Sequence, residues 1–108
     1  EENKISMNKG NVITKLSEIK ESNGHQFRYS PIGFKSDFHC SDEPQLVIIL
    51  QGIMKIILKD GSSKTFKAGE YFFSNDLLPE NETFDIEKHG HKSANVSHEP
   101  LITLFIKN

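Results

Sequence analysis

The punctuation of residues 45 to 74 constrains this chain more than any other feature. "QLVIIL" is a run of six apolar residues rich in β-branched side chains, and Gly52 breaks it. "IMKIILK" follows, then Asp60-Gly61, then "SKTFKAG" and "GEYFFSN". Short apolar runs bounded by turn residues read as strands buried on both faces. Asp-Gly marks a hairpin, because both residues tolerate the positive φ of a tight turn. "HKSANVS" and "PLITLFIK" look like closing strands, the second alternating between two apolar faces. Strands at this spacing specify an all-β sandwich or barrel. Closing the sheet, or doubling it, also disposes of the exposed edges that so many strands create.

The N-terminal third is less decided. "EENKISMNKGN" is polar, and residues 1 to 10 are expected to form a loose arm. "VITKLSEI" alternates as a short strand would, with Val12, Thr14 and Leu16 on one side. Ile13, Leu16 and Ile19 also fall at helical spacing, so a short helix near residues 14 to 21 stays open. "QFRYSPIGFKSDF" reads as extended segments broken by Pro31 and Gly33.

Bulk properties exclude several function classes. The 108 residues suit one domain, 1–108, and eight Phe supply much of its bulk. Net charge is -2, and the densest basic spot, "KHGHK", is too short to grip a phosphate backbone, so no nucleic-acid partner is expected. No apolar run approaches the roughly 20 residues of a membrane helix. One cysteine cannot close an internal disulfide, which points to a reducing, cytoplasmic setting. The opening "EENKIS" lacks Met, the mark of a trimmed or processed N-terminus, and a removed signal peptide is compatible with it.

The residues that could carry chemistry lie at the edges of these strands. His39 is followed by Cys40 and Ser41, then Asp42, Glu43 and Pro44, then Gln45, and six residues later Gly52 closes the strand turn. This resembles the first motif of the cupin superfamily: His, any residue, His, three or four residues, Glu, six residues, Gly. The spacing is intact, but Ser41 stands where the second His would be and Gln45 where the Glu would be. The second cupin motif is similar at Gly69, in "KAGEYFFSND". It departs at Asn75 and Leu77, where the family has Pro and Gly, and an insertion follows. It returns at "GHKSAN" with the His-to-Asn spacing of His91 and Asn95. The resemblance spans about residues 34 to 106.

That resemblance implies a cupin-like double-stranded β-helix, or jelly-roll barrel, that pairs as a homodimer. It implies a metal site of His39, Gln45 and His91 holding one divalent ion (Fe, Zn, Ni or Mn). Neutral imidazole suits these metals, while an uncharged amide is a poorer donor. The site is therefore expected to hold metal weakly or not at all. The same residues, with Asp76 at the end of the "EYFFSND" strand, are the candidate ligand-binding set. The function expected is small-molecule binding, with a metal-dependent cupin enzyme of dioxygenase or isomerase type as the alternative.

Each candidate has a plainer rival role. His39 could be a strand-end residue facing solvent, Gln45 a structural hydrogen-bonder and Asp76 a turn residue. His89 competes with His91, being two residues earlier on the same face of an extended segment. Cys40 neighbours His39, so alternation points it to the opposite face as a small buried side chain. Asn95 reads as a strand residue, and His25 and His98 as surface residues. Phe34, Phe38, Met54, Ile56, Phe73 and Phe105 could wall a pocket or simply fill the core. The loop 77–90 could be a lid over the barrel or a solvated surface loop.

Overall fold

The apolar run at residues 45 to 51 becomes the central strand of the larger sheet. The computed structural model describes residues 5–7, 9–10, 14–40, 44–74, 83, 85 and 89–108. The strands are β1 (Lys9–Gly10), β2 (Lys15–Leu16), β3 (His25–Ser30), β4 (Gln45–Gln51), β5 (Ile53–Ile57), β6 (Ser63–Lys67), β7 (Tyr71–Ser74), β8 (Lys92–Asn95) and β9 (Leu101–Lys107). They form a four-stranded sheet in the order β3-β9-β4-β7, a three-stranded sheet β6-β5-β8, and a separate pair β1-β2. All pairings are antiparallel.

Antiparallel register stacks inward residues into rungs across the larger sheet. One rung is Lys107, Gln45 and Ser74; the next is Gln26, Phe105, Val47 and Phe72; the next is Arg28, Thr103 and Ile49. The interior is thus polar at the first rung, mostly apolar at the second, and carries Arg28 and Thr103 beside Ile49 at the third. Val47, Ile49, Met54, Phe66, Phe72, Leu101 and Phe105 make the core. The rings of Phe66 on β6 and Phe72 on β7 lie 4.5 Å apart and join the two sheets. Leu101 is completely buried, which stabilises the fold by about 1.5–3 kcal/mol.

The turn residues act as their sequence suggests. At Asp60-Gly61 the Asp60 carboxylate accepts hydrogen bonds from the Ser62 backbone N–H at 2.8 Å and from the Ser62 hydroxyl. The hydroxyl and then the backbone bond hold the Asp60 carboxyl below its ordinary pKa. Between β4 and β5, the register slips between Ile49 and Gln51, and Gly52 turns the chain into the second sheet with φ +88°. A Cβ at Gly52 would lie 3.0 Å from the Ser97 hydroxyl and 3.1 Å from the backbone of Pro100 and Leu101.

Residues 14 to 21 hold no helix; β2 occupies part of the segment, and no helix occurs among the described residues. Short helices need an apolar face packed against something. Leu16 is 57% exposed and Ile19 fully so, so the apolar spacing there has no surface to pack on. Further upstream, the Ile5 N–H donates to the Tyr71 hydroxyl on β7 at 2.8 Å. No helix of the described residues is long and apolar enough to cross a membrane.

Candidate functional site

Gly90 and the segment before β4 bring the two motif histidines together. His39 and His91 form an isolated antiparallel bridge, each backbone N–H donating to the other's carbonyl at 3.0 Å. Their rings lie 4.7 Å apart, tilted by 53°. The close approach depends on Gly90, which has φ +96°. A Cβ there would sit 2.7 Å from His39 N and 2.7 Å from His39 O. His39 Nδ1 lies 2.9 Å from the Asp37 carbonyl oxygen. A carbonyl can only accept, so Nδ1 carries the proton and, in the neutral ring, Nε2 keeps its lone pair.

Both histidines line a cavity of about 220 Å³ between the sheets. Its polar end also includes Gln45, Ser74, Ser93 and Lys107, and its apolar wall is built by Val47, Met54, Ile56, Phe72 and Phe105. His91, not His89, is the cavity histidine. His89 is instead bonded to Asp85, receiving the Asp85 N–H on Nδ1 at 3.0 Å and donating its own backbone N–H to the Asp85 carbonyl at 2.8 Å. His25 and His98 are exposed.

Other expectations fare unevenly. Cys40 lines the cavity together with His39 rather than facing away. His39 is a single bridge residue outside any strand, so strict alternation does not continue through it. Phe38 stays outside the cavity, with the Lys59 ammonium 3.5 Å and the Lys92 ammonium 4.8 Å from its ring centre. Phe72 rather than Phe73 forms the wall; Phe73 pairs with Leu46, outside the inward rungs. Asn95 is structural: its amide donates to the carbonyls of Ser30, Pro31 and Glu99, and its oxygen accepts from the Ser97 N–H and hydroxyl. Asp76 and most of the 77–90 loop lie outside the described residues.

Gln45 does line the cavity, but its oxygen is engaged. Lys107, directly across on β9, donates its ammonium to Gln45 Oε1 at 2.5 Å. A second cation, missed in the sequence, lies deeper. Arg28 on β3 lines the cavity, its guanidinium carbon 5.5 Å from the ring centre of Phe34 and 5.2 Å from that of Phe105. Burial pushes its pKa below the ordinary value, yet an arginine remains charged. The apolar neighbours Phe27 and Tyr29 hid it, since alternation alone does not say which face is the core. Both are exposed, at 61% and 64%, which puts Arg28 inside.

Two antiparallel sheets closed face to face, with candidate site residues converging from neighbouring strands at one end, define a cupin-type jelly roll. The structure is similar to that of a cupin-2 domain containing protein from Shewanella frigidimarina, with a TM-score of 0.51 and 20% identity over 82% of this chain and 74% of that one. It is also similar to protein NMB1881 from Neisseria meningitidis, with a TM-score of 0.51 and 18% identity over 84% of this chain and 81% of that one. At these identities the likeness is one of fold. No family model and no curated protein matches the sequence.

Among the described residues the donor set falls short of a metal centre: no group of three His, Cys, Asp or Glu side chains converges. Zinc and non-haem iron sites of catalytic type use three protein ligands, commonly with a carboxylate to offset the charge. Here His39 and His91 are accompanied by an amide oxygen already held by Lys107, and by the cationic Arg28. Two positive side chains in the same cavity oppose a divalent cation.

Proposed function

We propose that this chain binds a small organic molecule between its sheets, with His39, Gln45 and His91 orienting the ligand at the polar end. The observation that carries this is the cavity itself: about 220 Å³, apolar on one wall, with hydrogen-bonding side chains converging on the other. Small-molecule sites have this composition. His39 offers an acceptor at Nε2 because Asp37 fixes the proton on Nδ1.

The test is a methyl-labelled NMR screen with a panel of neutral, acidic and basic compounds of fragment size. Binders should shift the Val47, Met54 and Ile56 methyl signals, and an Ile56→Phe substitution that fills the cavity should abolish the Val47 and Met54 shifts. A panel that leaves these methyls unmoved at millimolar concentration overturns the reading. The alternative is a metal-dependent cupin enzyme of dioxygenase or isomerase type. It draws its support from the adjacent imidazoles and needs a third donor from beyond the described residues. Elemental analysis decides between the two. Stoichiometric Fe, Zn, Ni or Mn that disappears in both His39→Ala and His91→Ala would replace the first reading with the second.

We also infer that the outer face of the larger sheet pairs with a second copy of the chain. Register aligns Phe27, Leu104 and Ile48 in one outward row and Tyr29 with Ile102 in the next. Phe27 and Tyr29 are mostly exposed. A contiguous apolar face of this kind is the usual material of a two-fold interface. Light scattering should give twice the 12.3 kDa chain mass, falling to one chain in Phe27→Glu. A wild-type monomer at every concentration would reject the pairing.

A further inference from the structure

We propose that the cavity is selective for a small organic carboxylate, with Arg28 as the residue that receives the carboxylate group and Lys107 supporting it. The proposal rests on the reading that the cavity binds small molecules, and it narrows the class.

Among the described residues no carboxylate lines the cavity beside the Arg28 cation. Arg28 lines the cavity, and its Nε and Nη2 are both buried without a hydrogen-bond partner. These two nitrogens form the side-on fork of the guanidinium, whose parallel N–H groups match the two oxygens of a carboxylate. Buried donors left unmatched are rare in folded proteins, and a charged one is costly. The neighbourhood is similarly unfilled. Thr103, across from Arg28 on β9, and Ser30, two residues along β3, each carry a buried hydroxyl with no partner. Neither hydroxyl lines the cavity, so a carboxylate bound there would supply its acceptor to Arg28 alone.

The surrounding charge agrees. Among the described residues the cavity lining contains Arg28 and Lys107 and no Asp or Glu. Both cations approach the same ring, Phe105, at 5.2 and 5.6 Å from its centre. They flank one region of the interior rather than scattering over it. Lys107 donates one of its N–H groups to the neutral Gln45 amide, which solvates its charge without cancelling it, so the cavity favours an anion. The wall beyond is apolar, so the rest of the ligand is hydrocarbon or aromatic. An apolar cavity of ~150 Å³ accepts benzene; by that scale, a cavity of about 220 Å³ takes a ligand of about nine non-hydrogen atoms.

Phosphate fits less well. Phosphate sites rely on backbone N–H groups at a helix N-terminus or a nest, and no helix occurs among the described residues. The fork is sealed from water, with Phe34 and Phe105 alongside. Meeting a ligand therefore requires the guanidinium to turn toward the cavity, and its contacts with the two rings hold it until then.

Matched acid and amide pairs test the proposal by calorimetric titration: acetate with acetamide, butyrate with butyramide, and benzoate with benzamide, plus inorganic phosphate. At least one acid should bind tenfold or more tightly than its isosteric amide, with benzoate the best fit in size. Arg28→Met should remove that preference, bringing each acid and its amide to within about twofold of each other, and Lys107→Met should weaken it by a smaller factor. Both variants are checked for an intact fold by their melting transition. Arg28→Gln is the second substitution should Met not be accommodated.

Equal binding of acids and amides, or an acid preference that survives in Arg28→Met and Arg28→Gln, overturns the carboxylate assignment while leaving the small-molecule reading standing. Phosphate binding more tightly than every carboxylate overturns it in favour of a phosphorylated ligand. Binding of none of these probes overturns the assignment. The small-molecule reading falls only if the broader methyl-shift panel is silent too.

Discussion

Gly90→Ala should separate the two cavity histidines and destabilise the chain by about 2–4 kcal/mol. Two terms contribute. The residue has φ +96°, a conformation that costs an L-residue about 1–2 kcal/mol. The new methyl would also lie 2.7 to 2.8 Å from three backbone atoms of His39, and a backbone cannot step aside as a flexible side chain can. The relief available is to open the His39–His91 bridge, giving up two backbone hydrogen bonds at about 0.5–1.5 kcal/mol each. The consequence for function exceeds the consequence for stability. This bridge holds the His39 backbone beside the cavity, so the variant should lose fragment binding at temperatures where it is still folded. The measurement pairs a melting curve with the methyl-shift screen. A variant that melts like the parent and still shows the cavity shifts would mean that the bridge does not position His39.

Gly90 also illustrates which parts of the molecule could be read in advance. The strands of residues 45 to 74 and 101 to 107 were visible because buried β-runs need continuous apolar residues and hairpins need their turn chemistry, both local properties. Gly52 and the Asp60-Gly61 turn belong to the same class. The motif spacing placed His39, Gln45 and His91 at one cavity, and the structure brings all three to its lining. What local pattern could not supply was the direction of a strand's two faces. "HQFRYS" offers Phe27 and Tyr29 as the natural core residues, yet the fold turns them outward and Arg28 inward. The decision is made by pairing with β9, whose own inward row of Leu101, Thr103 and Phe105 is set some 75 residues away in sequence. The helix admitted near residues 14 to 21 failed for a related reason: helical spacing has force only where a surface receives it, and Ile19 meets none. Gln45 was legible as an inward polar residue, but its partner Lys107 became apparent only once β4 and β9 were in register.

Asn95 should prove the most sensitive polar residue among those described, although it is absent from the cavity lining. It is 5% exposed, and its side chain ties three segments together. The amide nitrogen donates to the Ser30 carbonyl at 3.3 Å, the Pro31 carbonyl at 3.2 Å and the Glu99 carbonyl at 2.9 Å. The oxygen accepts from the Ser97 N–H at 2.9 Å and the Ser97 hydroxyl at 2.6 Å. The end of β3, the end of β8 and the turn into β9 are thereby held at one point. Asn95→Ala removes both halves of the side chain and leaves several backbone groups short of partners, at about 1–3 kcal/mol for each one that water cannot reach; a total loss of about 3–5 kcal/mol is expected. Asn95→Asp is the sharper probe because shape is preserved. It keeps the acceptor for Ser97 but replaces the donor with a carboxylate facing three carbonyl oxygens, so at neutral pH it should be at least as destabilising as Ala. The folded state favours the neutral carboxyl, which can again donate. Its folded pKa is therefore raised, the stability of this variant is highest below the unfolded value, and it declines as pH rises towards the folded value. Melting temperatures of parent, Ala and Asp variants measured between pH 4 and 8 decide the matter. An Asp variant that tracks the parent across that range would show that the three carbonyls find other donors, and that Asn95 is a bystander in the turn rather than its fastening.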